Sequence, residues 1–171
     1  MFKMIVAMTH NRGIGFNNKL PWKLQKDMNY FKQQTTGEGN NCVIMGRKTW
    51  YSLESYQSES LPKRAKIIMS TKNIDINTTN SNLANNLQDV IDICDKYNYD
   101  ERWVIGGEQI YKTFINAGLV SEIYVTQINR DYLCDTYFPP IPDNFKLYSN
   151  TDRMWEKGNV FRFKCYQKEN M

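Results

Sequence analysis

Asp27 is the residue best placed for proton chemistry, because it shares a helix face with apolar side chains. Residues 24–32 read as an amphipathic helix in which Leu24, Met28 and Phe31 form a stripe at helical spacing. Asp27 lies three residues after Leu24 and four before Phe31, so it projects from that stripe, while Gln25, Lys26, Asn29 and Lys32 point mostly away. A carboxylate on a buried face is costly unless something pairs with it. Such a group tends to a raised pKa and handles protons or binds a cationic, hydrogen-bonding ligand. The competing reading is a first-turn acid that complements the helix dipole. From position alone the two stand level.

A second kind of chemistry is written at strand-to-helix junctions. In Met45-Gly46-Arg47-Lys48-Thr49, a glycine permits close approach, a new helix offers free amides, and two cations follow. In Ile105-Gly106-Gly107-Glu108, paired glycines after a buried strand let backbone meet a diphosphate. Ser70-Thr71-Lys72, at the end of another strand, offers a third anion contact. A glycine pair at a strand end is more often a plain turn. Three such junctions on parallel strands point instead to a dinucleotide, although no G-x-G-x-x-G follows a strand.

Other chemistries find little support. Cys42, Cys94, Cys134 and Cys165 are widely separated, with no pair at metal-ligand or redox spacing, and His10 is the only histidine. No metal site and no His-containing catalytic triad is expected. Free cysteines and the lack of an export signal favour a reducing, cytoplasmic setting. The acceptor pattern Asn77-Thr78-Thr79 carries no consequence inside a cell. The net charge of +4, from 22 basic and 18 acidic residues, is too mild and scattered to indicate nucleic acid. No run approaches membrane-spanning length.

The elements that must position these residues alternate. Buried strands are expected at 2–9, 42–45, 65–69, 103–105 and 122–128. Helices are expected from Leu24, from Arg47, around Leu87, Val90, Ile91 and Cys94, and over 108–116, the last ending at Gly118. Residues 10–20, 35–41 and 73–86 read as loops. Phe161, Phe163 and Cys165 alternate with polar residues after a Lys157-Gly158-Asn159 turn, as in an antiparallel hairpin. The fold class is therefore α/β, with a mixed, mostly parallel central sheet, flanking helices and an antiparallel C-terminal hairpin. With 171 residues, 41% hydrophobic content and no linker or repeat, one domain over 1–171 is expected.

Several stretches together match a known family. They are Ile14-Gly15 with Leu20-Pro21-Trp22, Asp27 and Phe31; Val43 through Trp50; Leu61-Pro62 with Arg64; Ile105-Gly106-Gly107 with Ile110-Tyr111; and Asp135-Thr136 with Phe138-Pro139. In order and spacing the chain closely resembles dihydrofolate reductase. The resemblance implies reduction of 7,8-dihydrofolate to 5,6,7,8-tetrahydrofolate with NADPH as cofactor. It makes Asp27 the group that binds the pterin and promotes N5 protonation through water, with Thr126 orienting it. Trp22 would hold an ordered water, and Tyr111 would lie beside the hydride path. Ile5, Ala7, Met28, Phe31, Leu61 and Ile105 would line the substrate pocket, with Arg64 gripping the glutamate α-carboxylate.

On the cofactor side, the resemblance implies that Ala7 and Ile14 meet the nicotinamide. Gly46, Arg47, Lys48 and Thr49, with Gly106, Gly107, Glu108, Gln109 and Ile110, would hold the diphosphate. Ser70 would assist, and Arg47 and Thr71 would bind the 2′-phosphate. The Gly106–Gly107 bond is typically cis in the family. Glu108 departs from it, standing where many members have a small residue. The expected partner is the small-molecule substrate, with no nucleic acid or membrane, and the expected state is a monomer, with association with thymidylate synthase as a further option. Two rivals share the fold: a riboflavin-pathway pyrimidine reductase, against which Arg64 and the Asp27 helix argue, and a non-catalytic NADPH-binding module, which would need neither Asp27, Trp22 nor Thr126.

Overall fold

The computed structural model describes residues 1–54, 61–76 and 79–169. The triplet at 77–79 lies partly outside the described residues. The first half runs β1 (Phe2–Thr9), β2 (Gly13–Gly15), α1 (Gln25–Thr36), β3 (Cys42–Gly46), α2 (Arg47–Glu54), β4 (Ala65–Met69) and β5 (Ser81–Ala84). There follow α3 (Leu87–Tyr97), β6 (Arg102–Gly106), α4 (Glu108–Asn116), β7 (Val120–Ile128), β8 (Thr136–Tyr137), β9 (Phe145–Asn150), β10 (Met154–Glu156) and β11 (Asn159–Lys168).

The main sheet has the order β10-β11-β7-β1-β6-β3-β4-β5. All neighbours from β7 to β5 are parallel, so their carboxyl ends share one edge. β11 joins β7 antiparallel, and β9 and β10 both pair with β11. The expected α/β class with a mostly parallel sheet and an antiparallel C-terminal hairpin is the one observed.

Alternation along the strands feeds two cores. One face sends Met4, Val6, Ile44 and Ile67 against Val90 and Cys94 of α3 and Phe114 of α4. The other sends Ile5, Val43, Met45 and Trp103 against Trp50 of α2, with Tyr30 and Phe31 of α1 alongside. A third cluster joins Trp22 and Leu24 to Ile128 of β7 and Phe161 of β11. α3 is capped by Asn86, whose side chain accepts from the Asp89 amide. Lys157 and Gly158 both take positive φ (50° and 76°), the backbone a tight two-residue hairpin turn requires.

Several expectations needed correction. The loop at 10–20 contains β2, which pairs with β8, and the loop at 73–86 contains β5, an edge strand beside β4. β9 was not foreseen. In the apolar stripe of α1, Leu24 is buried but Met28 is 40% exposed, because it faces a cleft rather than a core. The distant Cys42 and Cys94 meet, their sulfurs 3.8 Å apart between β3 and α3. No helix among the described residues is long and apolar enough to cross a membrane.

Candidate active site

One cleft of about 1760 Å³ opens at the carboxyl edge of the parallel strands and runs between α1, α2 and α4. Its position follows the rule for open α/β sheets. Its volume exceeds the roughly 300–1,000 Å³ of a site for one small ligand.

At one end lies Asp27. Thr126 Oγ1, on β7, donates to Asp27 Oδ1 at 2.6 Å. Thr126 itself is buried, paired in register with Ala7 of β1 and Phe163 of β11. Burial pushes the Asp27 carboxyl up to about 6, the Thr126 bond pulls against that, and the Glu156 charge adds to the rise. Such a group changes protonation near neutral pH. Trp22 is buried against Tyr132, its Nε1 without a hydrogen-bond partner among the described residues.

Further along the same wall stand Ile5, Ala7, Met28, Phe31, Leu61 and Ile105, an apolar slot. Arg64 closes it. Arg64 is only 3% exposed; its guanidinium donates to Pro62 O (3.1 Å) and Thr35 Oγ1 (3.0 Å) and sits 6.0 Å from the Phe31 ring. Among the described residues it pairs with no carboxylate, and burial lowers its pKa. A buried cation without an anion is costly, so an anionic ligand would stabilise it.

At the other end, two helix N-termini converge. Gly46 leads into α2, whose first turn holds no acid and carries Arg47 and Lys48. Among the described residues Arg47 forms no ion pair. A Cβ on Gly46 would lie 3.1 Å from Ile110 Cγ1 of α4, so a side chain there would crowd the junction. Gly106 has φ +127°, which side-chain-bearing residues rarely adopt, and the Gly106–Gly107 bond is cis. Gly107 starts α4 with no side-chain cap, leaving first-turn amides for an anion. Glu108 is held by Lys112 (3.3 Å), which offsets its charge beside those amides. Thr71 is exposed on the rim, whereas the Ser70 hydroxyl is engaged in its own turn with Lys72. Tyr111 is buried between the two ends and donates to Ile5 O at 2.8 Å.

Every residue singled out from the sequence, from Ile5, Ile14 and Trp22 to Gln109 and Thr126, lines this one cleft. Lys32, Leu53, Met69 and Thr136 also line it and were not anticipated. Glu156 touches the site's frame from the C-terminal hairpin, and no local pattern announces it.

The family profile described as dihydrofolate reductase matches residues 1–170. The chain is 35% identical to the dihydrofolate reductase of Sus scrofa over 97% of each chain. It is 35% identical to that of Bacillus subtilis (strain 168), over 99% of this chain and 96% of the relative. A bifunctional dihydrofolate reductase-thymidylate synthase of Paramecium tetraurelia is 37% identical over 80% of this chain, a match spanning 28% of that longer protein.

Proposed function

This chain belongs to the dihydrofolate reductase family, and from that membership we propose how its residues divide the work of reducing 7,8-dihydrofolate to tetrahydrofolate with NADPH. Two carboxylates line the cleft among the described residues, Asp27 and Glu108. Glu108 is taken by Lys112 at the diphosphate end. That leaves Asp27 as the proton-handling group, and this is the observation that carries the assignment.

NADPH supplies a hydride to C6 of the pterin, and one proton must reach N5. Asp27 accepts hydrogen bonds from the pterin ring nitrogen and 2-amino group and promotes N5 protonation through water. Thr126 keeps one carboxylate oxygen fixed. Trp22 offers its partnerless Nε1 to that water, and Tyr111 fixes the floor beside the nicotinamide through its bond to Ile5 O. Ile5, Ala7, Met28, Phe31, Leu61 and Ile105 exclude bulk water from the reacting ring, which strengthens the electrostatics inside. Arg64 takes the α-carboxylate of the glutamate tail, a bidentate match for guanidinium.

The uncapped first turn of α4, the acid-free first turn of α2 and the crowded Gly46 and Gly106 positions suit a diphosphate. Gly46, Lys48, Thr49, Gly106, Gly107, Glu108, Gln109 and Ile110 would hold it there, with Ser70 shaping the adjacent turn. Arg47 and Thr71 would take the 2′-phosphate, and Ala7 and Ile14 the nicotinamide. The proposal extends to residues 1–171 acting as one domain, as a monomer in the cytoplasm. It would work alongside thymidylate synthase, which the Paramecium relative's name joins to this activity. The test is NADPH consumption by the purified protein. It should depend on dihydrofolate and stop with a diaminopteridine inhibitor; folded, NADPH-binding protein that consumes none would refute the assignment.

A further inference from the structure

We propose that Glu156 is a positioning residue for the reaction: its carboxylate supplies the N-terminal cap that α1 lacks and fixes the turn carrying Asp27. The inference rests on the assignment of Asp27 above.

The need for an external cap follows from the sequence of α1. Leu24 occupies the N-cap position with extended backbone (φ −119°, ψ 110°) and makes no side-chain cap bond. A Ser, Thr, Asp or Asn is favoured there. Leu24 is instead committed to the cluster with Trp22, Ile128 and Phe161. The first-turn amides of α1 are therefore left for another acceptor. Glu156 provides both of its oxygens. Gln25 N donates to Oε2 at 2.5 Å and Lys26 N to Oε1 at 2.9 Å. Lys26 Nζ also donates to Trp155 O at 3.3 Å. An anion at this end also complements the helix dipole.

These bonds close a ring through the molecule. Glu156 ends β10 opposite Asn159 of β11, β11 pairs with β7 with Phe163 opposite Thr126, and Thr126 bonds Asp27. Asp27 follows Lys26 directly. The carboxylate is thus held from the sheet side by Thr126 and from the helix side by Glu156. The charge of Glu156 also acts on Asp27 and raises its pKa. The other titratable or charged groups linked to this pair are Tyr30, one turn beyond Asp27, whose own phenol feels Asp27 and Cys165, and Lys26 and Lys157, which act on Glu156. Removing the Glu156 charge should therefore lower the Asp27 midpoint.

Glu156→Gln, which keeps one acceptor oxygen, and Glu156→Ala test this in the full chain. Carbon-13 NMR should show the Asp27 carboxyl titrating a few tenths of a unit lower in both, the scale of one screened like charge. The Gln25 and Lys26 amides should exchange faster. The single-turnover hydride-transfer rate at neutral pH should fall about three- to tenfold, more for Ala than Gln, with the dihydrofolate KM within about twofold. If Ala does not fold, Gln decides. An unchanged Asp27 midpoint and unchanged rate, with only the melting temperature lowered, would make Glu156 a scaffold contact and overturn the proposal. Failure of the functional assignment would show separately, as wild-type protein without dihydrofolate-dependent turnover, while the titration and exchange readings still report on the Glu156–Asp27 link.

Discussion

Thr126 and Asp27, 99 residues apart in the chain, meet through one 2.6 Å hydrogen bond in which the threonine hydroxyl donates. The bond favours the ionised carboxylate, while burial favours the neutral acid, and the balance leaves Asp27 titrating at about 6. Thr126→Val keeps the branched shape and removes the donor. The Asp27 midpoint should then rise by roughly one to two units, given ~1.5–3 kcal/mol for a bond to a charged group. An NMR titration of the Asp27 carboxyl in this variant checks it, and an unmoved midpoint would mean the bond has no hold on the proton.

The same shift has a consequence for stability. Asp27 rises from 3.8 to about 6 on folding, so the folded state binds its proton more tightly. Its favourable contribution is complete below the unfolded value and is lost as pH rises through about 6. At neutral pH the buried anion costs at most about 3 kcal/mol. Asp27→Asn should therefore melt higher than wild type at neutral pH, and the advantage should disappear in acid below the unfolded value. Calorimetry across that range gives the answer; an equal advantage at every pH would trace the gain to packing.

Arg64→Leu should weaken dihydrofolate binding by about 1.5–3 kcal/mol, the scale of charged hydrogen bonds. An inhibitor without a glutamate tail should bind almost as before. Paired titrations of tailed and tailless ligands separate the two cases, since equal losses would make Arg64 a structural cation held by Pro62 and Thr35.

Arg47→Ala should narrow the preference for NADPH over NADH by roughly tenfold or more, because only NADPH carries the 2′-phosphate. Salt should weaken wild-type NADPH binding more than the variant's. KM for both cofactors on one preparation is the measurement. A parallel loss for both would place Arg47 on the diphosphate or in the fold.

What could be read in advance followed the physics of each signal. Apolar runs with glycine stops located β3 and β6, and the period of Ile110, Tyr111 and Phe114 located α4. Asp27 stood out because a charge broke an apolar stripe. Pairing across long separations left no local trace. β2 is three residues whose partner lies beyond residue 135, β5 begins Ser-Asn at an exposed edge, and β9 buries only Phe145. The Cys42–Cys94 contact and the Glu156 cap have the same origin, since the cap comes from 131 residues beyond Gln25. Capping patterns are read over a few residues, and this one is made by the sheet.

The assigned role of Asp27, promoting protonation of N5 during hydride transfer, is tested most directly by the pH dependence of the hydride-transfer rate in Asp27→Asn. The variant keeps the shape and loses the titrating group. A loss on the order of 10²-fold or more is expected at neutral pH. That loss should shrink as the pH falls and solvent protonates N5 directly. A variant that transfers hydride at the wild-type rate at neutral pH would contradict it.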